Sequence, residues 1–147
     1  MTLNEILIRQ QFVNKIVLKN NENELPKELK VKVMSMRIAL NKIRVQYDKD
    51  SQEAIEGLKP EGFNDLYMKE VKTDEESKKL DEWIAKLTEE HNVFLIEKGK
   101  EEVEFNKTFT EEEFADLVDT NSNTVNINGN QLSAEDFLEI LYTLFVN

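Results

Sequence analysis

Apolar residues recur at alternating spacings of four and three between Pro26 and Gly57, and this pattern predicts one long amphipathic helix. The stripe consists of Leu29, Val33, Met36, Leu40, Ile43 and Tyr47. Pro26 suits the first turn of a helix, and Gly57 followed by Pro60 suits its end. At 1.5 Å per residue, such a helix is roughly 45 Å long. It therefore needs packing partners along its length.

Two other stretches open with a capping box and carry the same spacing. Thr2 to Glu5 begins a helix predicted over residues 3–19, and Thr73 to Glu76 begins one over residues 74–96. The short polar connection before Pro26 favours an antiparallel pair of helices. A brief helical turn is predicted after Phe63. An alternative interpretation ends the third helix at Asn92 and pairs residues 93–96 with 103–105 as a hairpin.

The last third of the chain alternates between strand and helix signals. Residues 102–105 and 124–127 show strand-like alternation, and Asn128-Gly129 is a strong turn dipeptide. Thr110 and Ser133 each open a further helix, the second carrying residues 137–145. The predicted fold class is therefore α+β and mostly helical. Residues 1–98 are expected to form an elongated antiparallel helical bundle, with a small strand-helix-strand-helix unit over 99–147 docked on it.

Composition excludes several classes of site. The 147 residues contain no cysteine and one histidine, His91, so thiolate metal sites and histidine clusters are excluded. No apolar run approaches the about 20 residues of a membrane span, and the first residues lack the pattern of a secretory signal. We therefore expect neither membrane contact nor export. The net charge of −11 argues against direct nucleic-acid binding.

Charge is distributed unevenly along the chain. Residues 27–47 carry six Lys and Arg against Glu28, a net charge of +5, whereas residues 101–147 carry a net charge of −10. The candidate partner-binding residues come from these stretches: Lys30, Arg37, Lys42, Arg44, Glu111, Glu112 and Glu113. Two interpretations stay open: the stretches neutralise each other within one molecule, or they form patches for head-to-tail contacts. The second predicts that reversing Arg37 and Arg44 costs little stability.

Few residues suggest chemistry. Asp119, Asn121 and Asn123 supply oxygens at positions one, three and five of a calcium-loop pattern, but Thr124 and Asn130 stand where glycine and glutamate are required. An ordinary polar loop is favoured. His91 lies on an apolar stripe and Trp83 beside one, which favours packing roles, and acidic residues such as Glu111 are explained by the helix dipole. The sequence thus predicts no catalytic residue, no metal and no cofactor.

The order of features resembles small proteins of tailed bacteriophages that are encoded among structural and assembly genes. The residues that carry this resemblance are Leu25-Pro26 before a Lys-rich helix, a second charged helix ending near Phe94, Val103-Glu104-Phe105, and LSAEDFL at 132–138. The resemblance implies a virion component, an assembly factor or an early host-interaction protein, in the virion or the host cytoplasm. Its partners would be other virion proteins or copies of itself. The competing hypothesis is an acidic inhibitor that presents carboxylates in place of DNA to a host defence or nucleic-acid enzyme.

Overall fold

The computed structural model describes residues 1–121 and 124–146. Within them the chain is mostly helical, with six helices and one antiparallel sheet of two strands, so the predicted mostly helical α+β class is confirmed. The elements are α1 (Leu3–Asn14), α2 (Lys27–Leu58), α3 (Phe63–Met68), α4 (Asp74–Gly99), α5 (Glu111–Thr120), β1 (Val125–Ile127), β2 (Asn130–Leu132) and α6 (Ala134–Phe145).

Threonine and serine caps explain where four of the helices begin. Thr2, Thr73 and Thr110 each form a reciprocal capping box, in which the hydroxyl accepts from the third helical N–H and a glutamate accepts from the threonine N–H. Ser133 caps α6 by accepting from the Asp136 N–H, and no return bond to Ser133 accompanies it. Aspartate is one methylene shorter than glutamate, so the predicted fourth box is a simple serine cap.

Helix α1 ends at Asn14 and not at residue 19 as predicted. After it, Asn20 organises a tight turn, because its Oδ1 accepts from the Glu22 and Asn23 N–H groups at 2.9 and 2.6 Å. The Leu25 N–H then donates to the Leu18 carbonyl at 3.0 Å. The Val17 N–H, which a continuing helix would use, instead donates to the Asn121 side chain at 2.9 Å. Side-chain hydrogen bonds thus replace helical ones in this segment.

Helices α2 and α4 are unbroken, and the alternative that ended α4 at Asn92 is wrong. The predicted strand at 102–105 is also wrong. Glu102 makes only an isolated bridge to Thr2, and the Val103 N–H donates to the Met1 carbonyl at 2.7 Å. One pair of residues with no neighbouring strand is too little to extend a sheet.

The predicted turn at Asn128-Gly129 joins β1 to β2, whose residues pair from Val125 with Leu132 to Ile127 with Asn130. Asn128 has φ 52° and Gly129 has φ 78°. Two positive φ values in succession match the two-residue turn whose twist fits an antiparallel hairpin. Asparagine and glycine tolerate this conformation best, which is why the dipeptide was a reliable signal.

The chain forms two compact units. The terminal unit comprises residues 1–44 and the described part of 102–147, and the middle unit comprises residues 45–101. The domains predicted from the sequence, 1–98 and 99–147, divide the chain elsewhere. The terminal unit takes in the first half of α2 because the buried stripe Leu29, Val33, Met36 and Leu40 shares one core with Phe137, Leu141 and Phe145.

The middle unit has a smaller core. It is built from Phe63, Leu80 and Leu87, against which Trp83 and Leu66 pack partly buried. The rings of Phe63 and Trp83 are 6.3 Å apart, and the Lys79 ammonium lies 4.6 Å from the Trp83 ring centroid. Trp83 is therefore at the edge of a core.

Candidate interaction surfaces

The predicted basic residues of α2 have different surroundings. Lys30 forms an ion pair with Glu24. Arg37 donates from Nε to the Val13 carbonyl at 3.1 Å and also donates to the Ile16 carbonyl. The Val13 carbonyl also accepts from the Ile16 N–H at 3.2 Å, and Ile16 lies beyond the end of α1. Arg37 thus joins α2 to the last turn of α1 and to the segment that follows it. Burial lowers the pKa of the Arg37 guanidinium below its ordinary value. The expectation that Arg37 can be reversed without loss of stability conflicts with these bonds.

Lys42 is exposed, whereas Arg44 is half-buried. Among the described residues no ion pair or hydrogen bond engages the Lys42 ammonium, which leaves it available to a partner. The structure thus separates the four basic candidates by environment. Lys30 is paired, Arg37 is structural, Lys42 is exposed and Arg44 is half-buried. Their predicted part in binding stays a prediction.

The acidic candidates lie in the first turn of α5. Glu113 accepts from the Thr110 N–H at 2.9 Å and from the Lys32 ammonium at 2.5 Å. Burial raises the pKa of the Glu113 carboxyl, but these two donors outweigh it and the pKa is lowered overall. Glu111 accepts from the Tyr142 hydroxyl at 3.2 Å, and Glu112 is exposed. The basic and acidic stretches therefore meet within the terminal unit, at Lys32 and Glu113.

An exposed apolar stripe on α2 was not singled out from the sequence. Val31, Met34 and Ile38 leave 58%, 51% and 59% of their surface exposed. They recur at spacings of three and four, as the buried stripe does, but lie about half a turn around the helix from it. The signal was present as a second periodic set within the same helix. We call these three residues the apolar stripe.

A shallow groove lies on α6 beside β2, also within the terminal unit. It has a volume of about 400 Å³ and is lined by Leu132, Asp136, Glu139, Ile140, Thr143 and Leu144. The apolar members are partly buried and pack against the core, whereas Asp136 and Glu139 are exposed. In the part of the chain that the structure describes, neither carboxylate has a cationic partner. We call this feature the acidic groove.

The candidate calcium loop is held by structural hydrogen bonds at its described end. Asn121 is buried, and its Oδ1 accepts from the Val17 N–H at 2.9 Å while its Nδ2 donates to the Leu117 carbonyl at 2.7 Å. The Asp119 carbonyl accepts from Asn20 at 3.0 Å. Ser122 and Asn123 lie outside the described residues. The amide oxygen that a cation would need from Asn121 is thus already engaged by the backbone.

His91 belongs to the middle unit and has packing partners. Its Nε2 lies 3.1 Å from the Ser51 hydroxyl and 3.2 Å from the Ser51 carbonyl, and its ring stacks on Phe94 at 6.4 Å. Nearby, the Lys98 ammonium contacts Asp50 at 3.0 Å, and it is the main reason that the pKa of Asp50 lies below its ordinary value. These contacts tie α4 to the second half of α2.

Residues 1–121 and 124–146 contain no cluster of three or more potential metal-ligating side chains. Of the helices they form, none is both long and apolar enough to cross a bilayer. Comparisons with protein-family models, with curated proteins and with solved structures found no match to this chain.

Proposed function

We propose that this protein is a non-enzymatic binding or assembly protein that acts through protein–protein contacts. The observation that carries the proposal is the apolar stripe, whose three large side chains are each more than half exposed on one face of α2. Apolar side chains that lie together on a surface and are rimmed by polar residues are typical of protein-binding sites. Lys27 and Lys42, both exposed, supply such a rim.

The biological setting that we propose is a bacteriophage virion or its assembly, with the protein in the virion or the host cytoplasm. This setting rests on the sequence resemblance to proteins encoded among phage structural and assembly genes. The finer architecture, an elongated antiparallel bundle with a small C-terminal unit, likewise stays a prediction. Partners would be other virion proteins or further copies of this chain, with no direct contact to nucleic acid or membrane.

The second candidate is an acidic inhibitor that mimics DNA, which the net charge of −11 favours. A mimic must present carboxylates over a continuous face. On α4, however, lysines are interleaved with the acidic residues: Lys86 lies 3.8 Å from Glu90, and Lys69, which follows α3, contacts Glu76 at 2.6 Å. This interleaving breaks the rows of carboxylate that DNA mimicry requires. The charge pattern of α4 therefore favours the assembly role.

Affinity capture from phage-infected cells tests the proposal, with the full chain as bait. We expect portal, capsid or tail proteins as the main captured partners. A bait carrying Met34→Glu and Ile38→Glu should lose them, because each substitution places a carboxylate in the contact. A matched bait carrying Val93→Glu and Ile96→Glu changes two similarly exposed side chains of α4, at 58% and 57%, and should keep them. Capture of a nuclease or polymerase as the main partner would overturn the assembly role in favour of the inhibitor.

A further inference from the structure

The terminal unit carries two apolar surfaces with rims of opposite charge. The apolar stripe on α2 is flanked by Lys27 and Lys42, and the acidic groove is flanked by Asp136 and Glu139. All four charged side chains are exposed, and within the described residues none of them has an ion-pair partner. Opposite charges around two matching apolar surfaces favour contact between them.

The apolar stripe is poorly suited to pair with the same stripe of another copy. Lys27 and Lys42 each lie four residues beyond an end of the stripe, so an antiparallel contact between two stripes places Lys27 of one copy beside Lys42 of the other. Flanking charges of this kind set partner choice, and two such helices would place like charges opposite each other. The rim therefore selects an acidic surface over a second basic helix.

The acidic groove has the complementary properties. Its apolar lining is formed by Leu132, Ile140 and Leu144, and its volume is about 400 Å³. The outer edge is formed by Asp136 and Glu139, which project one turn apart from α6. Lys27 and Lys42 are fifteen residues apart on α2, so a stripe that inserts one or two apolar side chains would bring one of these two lysines close to the carboxylates.

We propose that the apolar stripe of one copy docks in the acidic groove of a second copy. This inference rests on the proposed function, since it names a partner for the same stripe. The contact joins two different surfaces, so each bound copy still offers a free groove or a free stripe. Such head-to-tail contacts build rings when the rotation closes and open chains when it does not.

The net charge of −11 makes copies repel each other at very low salt. At about 0.1 M salt the screening length is about 10 Å, so only charges near the contact act strongly. Under these conditions the lysine and carboxylate rims attract, while the remaining charges are largely screened. Raising the salt to about 1 M should weaken self-association by about two- to fivefold, because the exposed ion pair at the contact is screened.

The test is sedimentation or light scattering of the purified full chain at about 0.1 M salt over a range of protein concentrations. The wild type should self-associate as concentration rises. A stripe variant, Met34→Glu with Ile38→Glu, and a groove variant, Asp136→Lys with Glu139→Lys, should each weaken self-association by at least about tenfold. The Val93→Glu, Ile96→Glu variant should associate like the wild type. Thermal unfolding of each variant checks that the fold is retained.

Mixing the two defective variants gives the decisive result. For mixing, the stripe variant is Met34→Gln with Ile38→Gln, because glutamates there would pair with the lysines of the groove variant. It retains a native groove and the groove variant retains a native stripe, so the mixture should form one-to-one dimers that grow no further. A mixture that stays monomeric while the wild type associates overturns the pairing of these two surfaces. A wild type that stays monomeric at high concentration overturns self-docking altogether. Neither outcome affects capture of virion proteins from infected cells, which tests the proposed function separately.

Discussion

The Arg37 guanidinium donates from Nε to the Val13 carbonyl at 3.1 Å, so a residue of α2 closes the end of α1. The same side chain also donates to the Ile16 carbonyl. These bonds join α2 to the end of α1 and to the segment between α1 and the turn around Asn20.

Arg37→Met should therefore destabilise the terminal unit. Methionine keeps much of the apolar stem but removes both donors, and hydrogen bonds from a charged group contribute about 1.5–3 kcal/mol. We expect a loss of about 2 kcal/mol in the free energy of unfolding, measured with urea. Lys42→Met, at an exposed position of the same helix, should change it by less than about 0.5 kcal/mol. Equal stabilities of the two variants would contradict the structural role of Arg37.

Asn121 joins the end of α5 to the segment after α1, and removing its side chain should also destabilise the protein. Asn121→Ala leaves the Val17 N–H without its acceptor, whereas the Leu117 carbonyl keeps the backbone N–H of residue 121 as a donor at 3.1 Å. Unsatisfied buried groups cost about 1–3 kcal/mol each. We expect a loss of about 2 kcal/mol by chemical denaturation, against little change for Asn106→Ala at an exposed site. If Asn121→Ala were as stable as Asn106→Ala, the hydrogen bonds of Asn121 would not contribute to the stability of the fold.

The sequence predicted most of the helices because their determinants are local. Capping boxes at Thr2, Thr73 and Thr110 act within four residues, and the stripe from Leu29 to Leu40 reports which face of α2 is buried. Around the end of α1, backbone groups bond instead to Arg37 and Asn121, which are distant in sequence. Periodicity along one segment contains no information about such a bond.

The same limit applies to the candidate surfaces. The sequence identified Lys30, Arg37 and Lys42 by charge alone, whereas the structure shows one paired, one structural and one exposed. Ranking them required knowledge of what packs against each side chain. The sequence contains the apolar stripe as a second periodic set in the same helix. Only the structure shows that Leu29 and Val33 are buried, whereas Val31 and Met34 are exposed.

The Glu76 carboxyl offers a test of electrostatics in the middle unit. Hydrogen bonds from the Lys69 ammonium, and next from the Thr73 N–H, lower its pKa from 4.5 to about 2. Because the folded pKa lies below the unfolded value, its stabilising contribution is fully present above pH 4.5 and is lost as the pH falls through about 2. In Lys69→Met, we expect the carboxyl pKa to rise toward 4.5 in an NMR titration.

The control for this titration is Lys72→Met. Lys72 donates to the Lys69 carbonyl at 2.7 Å and to no carboxylate among the described residues. Its loss should leave the Glu76 pKa low. A Glu76 pKa that is near its ordinary value in the wild type, or equally low in both variants, would count against the Lys69 contact.

The ion pair between Lys32 and Glu113 provides the final prediction, because it is where the basic and acidic stretches meet. The two groups are 2.5 Å apart, with 34% and 25% of their side chains exposed. A double-mutant cycle with Lys32→Met and Glu113→Gln isolates the pair, since glutamine can keep the capping bond to Thr110. We expect a coupling energy of about 0.5–1 kcal/mol near neutral pH, decreasing as salt rises.

Lowering the pH should remove the coupling energy between Lys32 and Glu113. The pKa of Glu113 is lowered in the folded protein, so the contribution of its ionised form is complete above the ordinary value of 4.5 and is lost below it as the carboxyl protonates. The matched cycle pairs Lys32→Met with Glu112→Gln, which removes an exposed neighbouring carboxylate and should give no coupling. Coupling in both cycles would indicate that Lys32 is attracted to the α5 carboxylates as a group, without a specific contact to Glu113. Coupling in the Glu113 cycle alone would show that the two stretches meet inside the molecule through one specific contact, while Lys42 stays exposed to a partner.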